Sequence, residues 1–66
     1  MNYIVSKQFI SDSKQRIMVY LTNEHNKWSD LLLDAKVFDN ESAAVREIQR
    51  IGLTHERFFI TPIIIL

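Results

Sequence analysis

The chain has 66 residues, no cysteine, and equal numbers of acidic and basic side chains, so its formal net charge is zero. That length holds one domain (1–66) with one core, and the lack of thiols excludes both a disulfide scaffold and a thiolate zinc site. The charge balance lacks the basic surplus through which dedicated nucleic-acid binders neutralise phosphate. Ordering costs about 1.5 kcal/mol per residue, and chains this short commonly lean on disulfides, a metal or a partner subunit. With disulfides excluded, self-association as a homodimer is the expected support.

The elements follow in chain order. Residues 3–10 alternate, with Tyr3, Val5 and Phe9 on one side and Ile4, Ser6, Gln8 and Ile10 on the other, which predicts a strand. Lys7 interrupts the first side and is expected to extend its stem over the sheet edge. Ser11-Asp12-Ser13-Lys14 reads as a polar turn. A second strand is predicted over 15–22, carrying Ile17, Val19 and Leu21 on one side, and the two strands should form an antiparallel hairpin.

After the polar loop 23–27, Ser29 is placed to cap a short helical turn through Ala35, with 36–38 extended. A third strand over 31–38 is the competing reading, and the poor strand propensity of Leu, Ala, Asp and Lys favours the turn. Asp39-Asn40-Glu41 opens the main helix, which runs to about Ile51 with Ala44, Val45, Ile48 and Ile51 as its apolar stripe. Gly52 should end it in the left-handed conformation, with Leu53 folding back toward Ile48. Thr54-His55-Glu56 connects to a last strand over 57–66, in which Pro62 demands an edge, a bulge or a bend.

The fold expected is α+β: a three-stranded, mainly antiparallel sheet packed on one principal helix, with a short helical turn before it. The core expected is Ile4, Ile17, Val19, Leu21, Leu32, Val37, Phe38, Ala44, Val45, Ile48, Ile51, Phe59 and Ile63.

Catalytic signatures do not emerge. Ser6, Ser11, Ser13, Ser29 and Ser42 lack a strained Gly-flanked elbow, and His25 and His55 lie in polar loops. The pairs Glu24-His25 and His55-Glu56 lack the i, i+4 spacing of a metal-binding helix, so they read as solvated loop residues. Gly52, the one glycine, follows a helix instead of opening one, so no phosphate cradle is indicated. No enzyme, metal or cofactor is expected. The N-terminal run has no basic segment followed by an apolar one, and Ile63-Ile64-Ile65-Leu66 falls far short of the roughly 20 residues of a membrane helix. A cytoplasmic protein with no membrane partner is expected.

The unusual feature is the last strand, which is apolar on both sides although one helix and one turn cannot cover both faces of a sheet. Its second face is then buried against another copy or docks a different protein, unless the strand is central with long side chains folded over it. Phe58, Ile60, Ile64 and Leu66 are the candidate protein contacts there. Trp28 joins them as a possible anchor, although a lid on one end of the core is its plainer role. The alternative function is nucleic-acid binding, with Tyr20 stacking on bases and Lys14, Arg16, Arg46 and Arg50 on phosphate; solvated charges are the plainer reading.

The run Trp28-Ser29-Asp30-Leu31, then Ala35-Lys36-Val37-Phe38-Asp39 and Glu41-Ser42-Ala43-Ala44, resembles small β-β-α-β proteins of bacteriophages and prophages. The resemblance covers about half the chain and implies no activity. It implies a mobile-element protein that acts in the host cytoplasm as an inhibitor or adaptor of a host protein, anti-defence and anti-CRISPR proteins being among such inhibitors.

Overall fold

A computed structural model describes residues 1–24, 26–52 and 57–64. The expected fold-back of Leu53, the 54–56 connector, both histidines, Ile65 and the candidate contact Leu66 lie outside the described residues. Four strands form one antiparallel sheet: β1 (Asn2–Ile10), β2 (Arg16–Leu21), β3 (Trp28–Ser29) and β4 (Phe59–Ile63), in the order β3-β2-β1-β4. One helix, α1 (Glu41–Ile51), packs on one face, so the chain is α+β as expected. The three-strand expectation omitted β3. Two residues are too few to show a period, and a local turn makes this strand. Thr22 N–H bonds the Lys27 carbonyl at 2.9 Å, and Asn26 adopts the left-handed conformation (φ 50°), which brings Trp28 opposite Leu21.

The β1–β2 hairpin turns where the polar run predicts. Lys14 N–H bonds the Ser11 carbonyl at 2.8 Å, and Ser11 Oγ accepts from Gln15 N–H at 3.2 Å. Lys14 takes a φ of 62°, which a side chain tolerates at a cost.

Ser29 belongs to β3 and does not cap a helix. Its hydroxyl accepts from Leu31 N–H at 3.1 Å and donates to Asp34 Oδ2 at 2.7 Å, bracing a single 3-10 turn, Leu32–Asp34. The chain then becomes extended. Beyond the Ser6–Tyr20 pair, β1 and β2 part company and residues 35–38 enter beside them. Lys36 N–H bonds the Leu21 carbonyl at 2.8 Å, Ala35 bridges Thr22, and Tyr3 and Phe38 exchange two 2.8 Å backbone bonds. This wedge carries Phe38 into the core beneath α1 and leaves Val37 on the other side.

The same exchange explains Pro62. In an antiparallel pair, a residue's N–H and C=O point the same way. Tyr3 directs both at Phe38, so its pairing with Pro62 on the other side is a non-hydrogen-bonded one. Pro62 therefore turns its donorless nitrogen to the outer edge, where the ladder loses nothing. β4 is an edge strand, not a central one.

Helix α1 begins at Asn40, whose Oδ1 accepts from Ala43 N–H at 2.8 Å. It ends at Gly52 (φ 84°), whose N–H bonds the Ile48 and Gln49 carbonyls. Its inner stripe is Ala44, Ile48 and Ile51; Val45, expected to join it, is exposed. The core consists of Val5, Leu21, Phe38 and Ala44, with Ile4 buried on the opposite face. Leu32, Val37 and Phe59 were expected inside and stand exposed. Ile17, Val19 and Ile63 are half-buried. No helix among the described residues is long and apolar enough to cross a membrane.

Candidate functional site

Strand register assigns each side chain to a face, because neighbours across a ladder share a side. The helix side carries Tyr3, Val5 and Lys7 of β1, Val19 and Leu21 of β2, Trp28 of β3 and Ile60 of β4. Past the cover of α1, Trp28 closes this side. Its ring stacks on Phe58 at 6.2 Å, Lys7 Nζ lies 4.3 Å from its centre, and its Nε1 donates to Asn26 Oδ1 at 3.2 Å. Lys7 thus lays its stem across the sheet face instead of its edge. Trp28, Phe58 and Ile60 all pack against the core.

The opposite face has no helix. Its residues are Asn2, Ile4, Ser6, Gln8 and Ile10 of β1, Arg16, Met18 and Tyr20 of β2, and Phe59, Thr61 and Ile63 of β4. Ser6 is buried because Tyr20 and Phe59 flank it in one row across three strands. Phe59 stays 46% exposed and Ile10 63%, with Met18 also open to solvent. Lys7, Gln8, Phe9, Ile10, Arg57 and Phe59 line a shallow depression along the flank of β1 beyond its pairing with β4, reached from both faces.

At the other end of this face the 3-10 turn and the wedge strand flank Ile4. Ile4, Leu32, Val37, Ile63 and Ile64 surround an open groove of about 430 Å³. Leu33, on its rim, is 98% exposed, and Ile64 is 82% exposed. The described residues that line the groove carry aliphatic side chains.

The sequence-predicted protein contacts therefore divide. Ile64 reaches the groove, while Trp28, Phe58 and Ile60 lie on the helix side. Phe59, Met18, Ile10 and Leu33 were not among them. The Leu31-Leu32-Leu33 and Phe58-Phe59 runs signal apolar excess, but nothing local says which member points where.

The predicted nucleic-acid residues divide as well. Arg16 and Tyr20 are on the helix-free face, and Lys14 is in the adjoining turn. Arg46 and Arg50 belong to α1, which packs on the other side. Arg50 bonds Glu47, whose carboxylate raises the guanidinium pKa first through that hydrogen bond and then through its charge. Glu47 also receives Lys36 Nζ at 3.9 Å.

Among the described residues, no cluster of three or more His, Cys, Asp or Glu side chains is arranged to hold a metal ion. Ser11 and Ser13 bond each other, and Ser29 bonds Asp34. Comparison with family models, with curated proteins and with solved structures yields no match for this chain.

Proposed function

We propose that this chain is a non-enzymatic protein-binding module that docks through the helix-free face of its sheet. The observation that carries this reading is the apolar exposure of that face: Tyr20 and Phe59 flank Ser6 on the way to the groove, and Met18 and Ile10 lie farther along toward the hairpin turn beside Arg16. An apolar centre containing aromatic and Met side chains, bordered by arginine, is the composition of protein interfaces. Face contact is favoured over strand addition at β4, because Pro62 removes a donor from that outer edge. The further step to a phage-encoded inhibitor or adaptor of a host protein rests on the sequence resemblance alone.

The test pairs capture with a face variant. A stoichiometric partner held by the wild type and lost by Phe59→Asp, with the circular dichroism spectrum unchanged, supports the reading. A partner retained at full affinity by Phe59→Asp and by Met18→Asp removes it.

Nucleic-acid binding remains the second reading, favoured by one arrangement: Tyr20 and Phe59 lie in one row with Arg16 and Arg57 at the same end. Two rings and two guanidinium groups suit stacked bases of a single strand. It requires salt-sensitive binding of a labelled oligonucleotide, and no mobility shift at low salt eliminates it.

A further inference from the structure

The end of β1 runs on past β4. Along an antiparallel strand, successive residues turn their N–H and C=O to alternate sides. Tyr3 sends both toward Phe38, and Ser11 sends both into the hairpin turn. The odd-numbered residues of β1 therefore address the side of β2, and the even-numbered ones address the side of β4. The ladder to β4 stops at Ser6–Phe59. Gln8 and Ile10 direct their backbone donors and acceptors beyond that point, where no described residue bonds them.

We propose that this open flank takes up an extended, acidic segment of the partner protein as an added strand. The proposal rests on the reading of this chain as a protein-binding module and names the part of the partner that it holds.

Backbone chemistry selects a strand as the occupant. An N–H and a C=O offered together at every second residue are matched by another extended backbone. Lys7–Ile10 supplies about 13 Å of edge at ~3.3 Å per residue, enough for a short strand. The depression beside it holds about 630 Å³ and is reached from both faces, so alternate side chains of an incoming strand have room on each. Phe9, 54% exposed, awaits them on the helix side and Ile10 on the other. The sheet's outer edges are guarded differently: β4 carries Pro62, and β3 is only two residues long.

Charge selects the sign of the occupant. The charged residues among those described along the depression, Lys7 and Arg57, are both basic. Arg57 forms no ion pair with a described residue, so a carboxylate on the incoming strand can meet it. A second copy pairing β1 to β1 about a twofold axis would place Lys7 and Arg57 of both copies along one seam, which like charge opposes.

Amide exchange and a peptide probe, both read by nuclear magnetic resonance on the full chain, test this. In the free protein the Gln8 and Ile10 amides should exchange at least ~10-fold faster than those of Lys7 and Phe9, which face β2. A capped heptapeptide alternating valine with glutamate, at millimolar concentration, should slow that exchange and shift both amide signals. Its valine–lysine counterpart should not bind, and neither should a valine–glutamate peptide N-methylated along its bonding edge. Arg57→Glu should weaken binding about fivefold and leave the circular dichroism spectrum unchanged. Gln8 and Ile10 amides as protected as that of Phe9 in the free chain overturn the proposal, because the edge is then already filled. So do an absence of shifts with the glutamate peptide, and equal binding of the lysine or N-methylated peptide. Partner capture by the wild type and its loss in Phe59→Asp judge the module reading separately; a captured partner that leaves both amides exchanging freely overturns the added strand while that reading stands.

Discussion

The Lys7 ammonium group lies 4.3 Å from the centre of the Trp28 ring, and that ring stacks on Phe58. A charge in the middle of an apolar strand thereby becomes part of the cover over the core. Lys7→Met keeps the stem and removes the charge, and should cost about 0.5–1 kcal/mol. Lys7→Ala should cost more, because the stem's packing goes too. Trp28→Ala should cost roughly 3 kcal/mol, near the low end for a large aromatic ring because Trp28 is only half-buried. Urea unfolding read by circular dichroism ranks the three, and for the lysine variants the single tryptophan provides a fluorescence readout.

The two ends of α1 offer a second prediction. Asn40→Ala leaves the Ala43 amide without its acceptor and should cost about 1 kcal/mol, whereas Asn40→Asp should restore the bond at little or no cost. Thermal unfolding of the three proteins decides it. Equal melting temperatures for Ala and Asp would show that the cap contributes nothing.

Backbone handedness gives a third. A Cβ on Gly52 would meet nothing within 4 Å, so Gly52→Ala tests the φ of 84° alone and should cost about 1–2 kcal/mol. Lys14 is the opposite case. It already holds φ at 62° in an exposed turn, so Lys14→Gly should stabilise the hairpin by about 0.5–1 kcal/mol, strain relief exceeding the added unfolded-state entropy. Chemical denaturation midpoints with unchanged slopes are the readout.

Ala44 sits fully buried where α1 meets Val5, Leu21 and Phe38. Ala44→Leu should destabilise by about 1–3 kcal/mol through overpacking. Val45→Ala, one residue along on the exposed side, should stay within about 0.5 kcal/mol. Equal losses at both positions would contradict the helix facing described above.

Pro62 presents a prediction about specificity instead of stability. Pro62→Val restores an N–H at the outer edge of β4 and should leave the monomer fold intact. Higher-order, β-rich association should increase with it, as measured by light scattering over time. No change would mean that the edge is protected by something other than proline.

Local chemistry made much of this fold legible. The β1–β2 hairpin follows from alternation around a Ser/Asp turn, and the limits of α1 follow from Asn40 and Gly52. Facing was harder. Phe58 and Phe59 are equally apolar, and a one-residue slip exchanges their sides. The register Ser6–Phe59 decides it, and that contact joins the two ends of the sequence. The candidate surface was hidden for the same reason. Leu32 and Val37 look like core until the 3-10 turn and the wedge strand turn them outward, and β3 consists of two residues that no periodicity can announce.

The position of β1 in the sheet has a consequence for the newborn chain. β1 is flanked by β2, which follows it from the ribosome at once, and by β4, the last of the described strands to be translated. Until β4 emerges, the flank of β1 from Asn2 to Ser6 lacks its neighbour. Until β4 has been made, the nascent chain therefore carries a half-finished sheet. A message cut short before Phe59 would yield a polypeptide with a naked edge and no route to completion. Such a product is a natural client for chaperones and proteases.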